Sequence, residues 1–188
     1  MRELTALPNL LTLLRIVLIA PVVALLFFWQ DWARWLTLAL FVIASLTDWL
    51  DGKLARRQER VSPLGRFLDP IADKLLVAAV LVMLAAVGQL RGLEVVAVIL
   101  ILSRELLVSG LREYLGEKGV VVPVSQLAKW KTTVQMVALA LLIVAPALGR
   151  FWHQLGIGFL WLAVLLTLVT GWDYLRIGLR EMGVLRPR

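Results

Sequence analysis

The sequence predicts an all-α integral membrane protein in which six transmembrane helices form a single domain over residues 1–188. Two observations support this fold class. The chain is 61% hydrophobic with a mean hydropathy of +0.87, whereas a soluble domain is closer to half apolar. Its apolar residues also fall into six stretches, and six spans of about 20 residues each leave only short connections. We therefore expect any chemistry to be carried by the helices themselves.

The six stretches follow one another along the chain with polar connections between them. They cover roughly residues 9–29, 34–50, 68–87, 93–109, 132–148 and 155–172. The first has some features of a secretory signal peptide, but its apolar run is too long and no clear small-residue cleavage site precedes Trp29. We expect it to be a retained span.

The distribution of basic residues predicts the orientation of these spans. Three of the 20 basic residues lie in the connections after the first, third and fifth spans: Arg34, Arg91 and Arg150. Apart from Lys74 in the third span, the others lie on the N-terminal side, in the 51–67 and 104–131 segments, or in the 174–188 tail. The positive-inside rule therefore predicts that both termini and the two longer connections are cytosolic. The basic tail is expected to be solvated and attracted to anionic lipid.

The net charge of +7 and the sequence pI near 10.6 are compatible with several kinds of partner. In a membrane protein, positive-inside connections and anionic headgroups account for such a charge, so we expect a lipid bilayer and no nucleic acid as partner. The chain contains no Cys, which excludes disulfides and thiolate chemistry. No organellar targeting segment is recognisable, so the cytoplasmic (inner) membrane of a bacterium is the expected location.

Four aspartates lie where the second span ends and the third begins. Asp48 and Asp51 are three residues apart, and Asp69 and Asp73 are four residues apart. On a helix, each spacing puts both carboxylates on one face with their Cβ atoms about 5–6 Å apart. The connection between the spans is short, so the two pairs can face each other. Because carboxylates without His or Cys select hard cations, we expect Mg²⁺ or Mn²⁺, as two ions that balance the four charges.

The alternative for these aspartates is structural, as helix caps and partners of nearby arginines. Asp69 precedes Pro70 and is predicted by this alternative to be an N-cap, with proline at the first helical position. The alternative does not account for Asp48 inside an apolar span or for Asp73 one turn into another, because carboxylates inside a membrane are costly. Two metals at such a site suit phosphoryl transfer, since they can stabilise an in-line displacement at phosphorus.

The aspartates form part of a longer pattern, D-x-x-D-G-x-x-A-R-x8-G-x3-D-x3-D, which begins at Asp48 and ends at Asp73. At every defined position the chain resembles the CDP-alcohol phosphatidyltransferase family. The resemblance implies a six-helix membrane fold, usually dimeric, with a polar cavity at the cytosolic face. It implies that the four aspartates bind the metals and that Asp73 is also the general base. The positions expected to bind CDP-diacylglycerol are Asn9, Thr12, Gly52, Arg56, Ser62 and Gly65.

Three further segments resemble one branch of the family, the phosphatidylglycerophosphate synthases, whose acceptor is sn-glycerol 3-phosphate. These segments are Leu7–Arg15, Ser103–Glu113 and Lys129–Met136. A phosphate-bearing acceptor needs a cationic pocket, and Arg suits bidentate phosphate recognition. The candidate residues for this pocket are Arg104, Arg112, Lys129 and Lys131.

The two candidate arginines are eight residues apart, about two helical turns, and can face the same side if the helix continues. The alternative is that all four cations are ordinary positive-inside residues. Glu105 is a candidate structural partner for Arg104, although adjacent residues do not share a helical face. Arg15, about six residues into the first span, either snorkels to the interface or faces the cavity, and the resemblance favours the cavity.

Two alternative functions remain open from the sequence. The nearer one is the same transfer to a different alcohol acceptor, such as phosphatidylglycerol, inositol phosphate or serine. The distant one is a divalent-cation transporter, whose acidic residues would lie near the midplane of the membrane and be accessible from both sides. The aspartates of this chain instead cluster at one predicted face, which favours the enzyme.

Overall fold

The computed structural model describes residues 7–58, 63–120 and 125–182, and it confirms the predicted all-α class for them. The described residues form six α-helices and no strand. The helices are α1 (Leu7–Leu26), α2 (Asp31–Gln58), α3 (Pro63–Ala86), α4 (Leu93–Glu117), α5 (Gln126–Leu148) and α6 (Arg150–Glu181). Each predicted apolar stretch lies mostly within one of these helices.

Helices α2 to α6 are longer than the apolar stretches that predict them. Helix α2 continues to Gln58 and α4 to Glu117, each about two turns past the predicted end of its stretch. Helix α3 begins at Pro63, so Asp69 lies inside the helix and the predicted N-cap before Pro70 is wrong. Pro63 instead occupies the first helical position, where the missing N–H of proline needs no partner.

The first compact unit of the chain consists of Met1–Leu90 and Leu139–His153. Its described part contains α1, α2, α3, the end of α5 and the first turn of α6. Helix α1 packs against both α2 and α3. The largest buried apolar side chains of this unit are Leu26, Phe41, Leu76, Leu81, Leu84, Leu90, Leu139 and Leu142. The packing therefore sets α1 against the two helices that carry the aspartate positions.

A buried polar network holds one end of this unit together. Arg34, predicted to lie in a short connection, belongs instead to the first turn of α2 and is completely buried. Its Nη1 donates to Gln89 Oε1 at 3.5 Å, and its Cζ lies 4.8 Å from the centroid of the Trp29 ring. Gln89 Nε2 donates to the carbonyl of Leu142, and the carbonyl of Gln89 is 3.1 Å from His153 Nε2. The network therefore joins α2, the α3–α4 connection, α5 and α6.

The second compact unit consists of Arg91–Ala138 and Gln154–Arg188. Its described part contains α4, the first part of α5 and most of α6. Helices α4 and α6 approach closely because Gly178 leaves room for Leu111: a Cβ at Gly178 would lie 2.5 Å from Leu111 Cδ1. The buried apolar cluster of this contact consists of Val108, Leu115 and Tyr174.

The end of α6 differs from the expectation of a solvated basic tail that begins at Tyr174. The helix continues to Glu181. Tyr174 and Gly178 are buried against α4, whereas Arg176 and Arg180 are exposed. Because residues four apart share a helical face, the described part of the tail has one packed face and one exposed face. The expectation of a solvated basic tail therefore holds for Arg176 and Arg180 but not for the face that carries Tyr174 and Gly178.

The surfaces of both units carry apolar side chains. Among the described residues, α5 and α6 are long and apolar enough to cross a membrane. Large apolar side chains are exposed in each unit, such as Val17 and Phe27 in the first and Leu106 and Leu165 in the second. Exposed apolar surface on this scale marks contact with lipid or with another protein, so the surface agrees with association with a membrane.

Candidate active site

The four aspartate positions lie on two helices of the first unit. Asp48 and Asp51 belong to α2, Asp69 and Asp73 belong to α3, and each helix is continuous through its pair. The helical spacing expected for both pairs is therefore present in the backbone. The side chains at these positions lie outside the described part of the structure, as do those at Asn9 and Arg56 and the surroundings of Gly52 and Gly65. Ser62 lies outside the described residues.

Helix α1 carries two of the predicted site residues with described side chains. Thr12 and Arg15 are three residues apart, which puts them on one helical face. Thr12 is completely buried and Arg15 is 1% exposed. A snorkelling arginine extends its charged end to the surface, so the burial of Arg15 argues against that alternative. The helix that packs against the aspartate-bearing helices therefore has a buried polar face.

Two of the four candidate cations for the acceptor phosphate meet at one carboxylate in the second unit. Oε1 of Glu105 accepts from Lys131 Nζ of α5 and from Arg104 Nη1, the latter at 3.3 Å. The exposed fractions of these side chains are 11% for Arg104, 15% for Glu105 and 5% for Lys131. The structure thus shows the suggested pairing of Glu105 with Arg104 and adds Lys131 to it. The carboxylate joins α4 to α5.

Helix α6 holds the other side of the Arg104 guanidinium. Arg104 Nη2 donates to Thr170 Oγ1 at 3.0 Å, and Cζ lies 5.8 Å from the centroid of the Tyr174 ring. Gly171 permits this approach, because a Cβ there would lie 3.0 Å from Arg104 Cγ. Arg104 Nε is buried and has no hydrogen-bond partner among the described atoms. The guanidinium is therefore held at both terminal nitrogens, while Nε remains unpaired within the described structure.

The other two candidate cations differ from this pair in exposure. Helix α4 continues from Arg104 to Arg112, as the prediction requires. Eight residues turn a helix about 80° beyond two full turns, however, so the two arginines do not lie on the same line along α4. Arg112 is exposed, and Lys129 is exposed although Lys131 is buried. The exposure of Arg112 and Lys129 fits the alternative that they are ordinary basic residues. The structure brings Arg104 and Lys131 together through Glu105.

Sequence reasoning misses two polar residues of this unit, Gln135 and Thr170. Gln135 lies one turn after Lys131 on α5, is 2% exposed, and has no described hydrogen-bond partner for Oε1. The sequence signal that identifies Gln135 is its spacing of four residues from Lys131, which puts both polar side chains on one face of a largely apolar helix. Thr170 gives no such signal, because its contact with Arg104 joins residues 66 positions apart.

Comparison with known proteins extends the evidence from the site to the whole chain. The model of the CDP-alcohol phosphatidyltransferase family matches residues 5–169, a range that includes the aspartate positions and the Arg104–Glu105–Lys131 cluster.

The chain is also similar to bacterial enzymes named CDP-diacylglycerol–glycerol-3-phosphate 3-phosphatidyltransferase. It is 40% identical to the enzyme of Cereibacter sphaeroides, over 91% of this chain and 94% of the relative. It is 44% identical to that of Rickettsia typhi, over 90% and 95%, and 42% identical to that of Pseudomonas fluorescens, over 90% and 88%. The chain therefore belongs to the CDP-alcohol phosphatidyltransferase family, as the aspartate pattern predicts.

Proposed function

We propose that this chain transfers a phosphatidyl group from CDP-diacylglycerol to sn-glycerol 3-phosphate, with phosphatidylglycerophosphate and CMP as products. The observation that carries the proposal is the similarity to relatives named for this reaction, which are 40% and 44% identical over about nine tenths of the chain. The buried cluster of Arg104, Glu105 and Lys131 supports the choice of acceptor, because recognition of a phosphate monoester requires cations held in place.

The donor set of the aspartates fits a divalent metal, which we propose to be two ions of Mg²⁺ or Mn²⁺. Asp48, Asp51, Asp69 and Asp73 offer carboxylate oxygens, which hard divalent cations prefer. The continuity of α2 and α3 supports the proposal, since it keeps the members of each pair on one side of a helix. When bound, the metals supply charge stabilisation to the oxygens of the transferring and departing phosphates.

The chain's own residues have separate tasks in the proposed reaction. Asp73 accepts the proton of the 1-hydroxyl of sn-glycerol 3-phosphate. The hydroxyl oxygen then bonds to the β-phosphorus of CDP-diacylglycerol, and the bond from that phosphorus to the CMP oxygen breaks. Arg104 and Lys131 hold the acceptor phosphate, and Arg15 is a candidate for the polar cavity. The residues proposed to hold CDP-diacylglycerol are Asn9, Thr12, Gly52, Arg56, Ser62 and Gly65.

The proposal includes a location. The six helices cross the cytoplasmic membrane of a bacterium, with both termini and the polar cavity on the cytosolic side. The basic residues of the 51–67 and 104–131 segments support this orientation. The acyl chains of the donor stay in the lipid, because their extraction has a large hydrophobic cost. The resemblance to the family supports a homodimer.

The decisive experiment is an acceptor comparison with the purified chain. Release of CMP from CDP-diacylglycerol is measured with Mg²⁺ or Mn²⁺ and, in turn, sn-glycerol 3-phosphate, phosphatidylglycerol, inositol phosphate and serine. We expect turnover with sn-glycerol 3-phosphate. Turnover with another of these acceptors, and none with sn-glycerol 3-phosphate, would show that the acceptor assignment is wrong.

The role of Asp73 is tested by the Asp73→Asn variant, which removes the proton acceptor with almost no change in size. We expect folded protein that releases no measurable CMP. Asp173→Asn is the matched control, because Asp173 is an exposed residue of α6 and the chemical change is the same. Near-normal turnover of Asp73→Asn would exclude Asp73 as the general base.

A further inference from the structure

One carboxylate oxygen in the second unit is shared by two cations from different helices. Glu105 Oε1 accepts from Lys131 Nζ of α5 and from Arg104 Nη1 of α4. Glu105 therefore controls the spacing of the two basic groups that are candidates for the acceptor phosphate.

The electrostatics of this arrangement favour a bound anion. An ammonium and a guanidinium held close together repel each other, and burial strengthens the repulsion because the effective dielectric constant is lower. Glu105 compensates one of the two positive charges, so the three side chains together carry a net charge of +1. The carboxylate thus keeps the cations adjacent and leaves an attraction for a phosphate.

The hydrogen bonds of Arg104 are incomplete within the described structure. Its Nη1 and Nη2 are engaged by Glu105 and Thr170, whereas its Nε is buried without a described partner. An unpaired buried donor costs free energy. The Nε of Arg104 is the group that a bound anion would satisfy.

We propose that Glu105 is a positioning residue for the acceptor: it sets the distance between Arg104 and Lys131 so that both engage the phosphate of sn-glycerol 3-phosphate. This inference rests on the proposed function and adds a residue to it. Glu105 itself does not contact the phosphate, since two anions repel. Its effect is confined to recognition of the acceptor and does not extend to recognition of CDP-diacylglycerol.

The test is steady-state kinetics of Glu105→Gln in detergent, with each substrate varied in turn. Glutamine keeps an oxygen at the same reach but removes the charge that holds the two cations together. We expect the KM for sn-glycerol 3-phosphate to rise tenfold or more, the effect of losing one charge-assisted hydrogen bond. The KM for CDP-diacylglycerol should stay within about threefold of the wild-type value, a change smaller than one such bond produces.

Three further variants make the result specific. Glu105→Asp keeps the charge on a shorter side chain and should give an acceptor KM between those of the wild type and Glu105→Gln. This variant is also a milder change that can be used if Glu105→Gln folds poorly. Glu105→Gln combined with Lys131→Met should be no worse than Lys131→Met alone, because the two residues act as a unit. Glu117→Gln, the same change at an exposed position of α4, should leave both KM values unchanged.

The outcomes separate this inference from the proposed function. A Glu105→Gln variant with an unchanged or lower acceptor KM overturns the positioning role, and a lower value would mean that Glu105 competes with the phosphate. Lowered thermal stability with normal KM values overturns it as well, because that result describes a purely structural ion pair. A wild-type chain that uses only an acceptor without a phosphate overturns the proposed acceptor together with this inference.

Discussion

Gly178→Ala is the substitution whose effect on the fold can be worked out most directly. The added Cβ would lie 2.5 Å and 2.9 Å from the two terminal methyls of Leu111 and 3.1 Å from its Cγ. All three distances are shorter than an ordinary carbon–carbon contact, so Leu111 must change its side-chain conformation in a packed cluster. Overpacking of this kind costs about 1–3 kcal/mol, whereas the change from glycine to alanine in a helix gains up to about 1 kcal/mol.

A second glycine of the same helix isolates the packing cost. Gly158 of α6 has no atom within 4 Å of the position that a Cβ would occupy, so Gly158→Ala keeps the gain in helix propensity and has no clash. We therefore expect Gly178→Ala to be less stable than Gly158→Ala by about 1–3 kcal/mol. For a chain of this length, that difference corresponds to about 2–12 °C in Tm.

The assay is thermal unfolding of both purified variants in the same detergent, followed by far-ultraviolet circular dichroism. The double variant Gly178→Ala with Leu111→Ala adds a direct check on the cause. If the methyl group added at position 178 clashes with Leu111, truncation of Leu111 should cost less in the Gly178→Ala background than in the wild type. Equal Tm shifts for Gly178→Ala and Gly158→Ala would refute the packing argument.

Three other predictions address the remaining features. Gln89→Leu should lower stability by about 1–3 kcal/mol, because buried Arg34 loses its described hydrogen-bond acceptor; Arg34→Met should remove most of this cost in a double-mutant cycle measured by thermal unfolding. Gly171→Ala should raise the acceptor KM about twofold to tenfold, since displacement of Arg104 Cγ from its rotamer costs about 1 kcal/mol. Gly158→Ala, the control, should leave the acceptor KM unchanged. Removal of divalent metal with EDTA should abolish CMP release, and Mg²⁺ or Mn²⁺ should restore it; persistent turnover would contradict the metal assignment.

The placement of Arg104 explains why a substitution on α6 is expected to raise the KM for the acceptor. The stem of Arg104 lies against Gly171, and its guanidinium is bonded to Thr170 one residue earlier. A side chain at position 171 therefore acts on the guanidinium through contact with Cγ. The same contact limits the alternatives for Arg104, because an ordinary positive-inside residue would be exposed to the headgroup region.

The number, type and approximate positions of the helices were predictable from the sequence. Long apolar stretches separated by short polar connections can adopt few structures other than helices in lipid, because every backbone polar group must form its hydrogen bond within the segment. The helix ends were less predictable, as the start of α3 at Pro63 shows. Apolar composition marks the part of a helix that lipid or protein covers, whereas the helix itself continues into polar residues such as Glu117.

The burial of individual basic residues was not predictable. Arg34 is predicted to lie in a short connection between spans, yet the structure buries it in α2 beside Gln89, 55 residues away. Lys129 and Lys131 are both lysines and lie two positions apart on α5, but Lys129 is exposed and Lys131 is buried. Burial depends on which helix lies opposite a given face, and the periodicity of one helix contains no information about its neighbour.

The sequence by itself determined the all-α class and the family of this protein, and it predicted the metal chemistry that we propose for its four aspartates. The long apolar stretches predicted the class and the resemblance of the motif indicated the family, while the cost of placing charges in an apolar helix favoured a metal-binding role for the aspartates. Only the tertiary structure decided which cations lie together. Arg104 and Lys131 meet through Glu105 because the fold brings Lys131 of α5 to Glu105 of α4, and a contact between residues 26 positions apart cannot be inferred from local spacing.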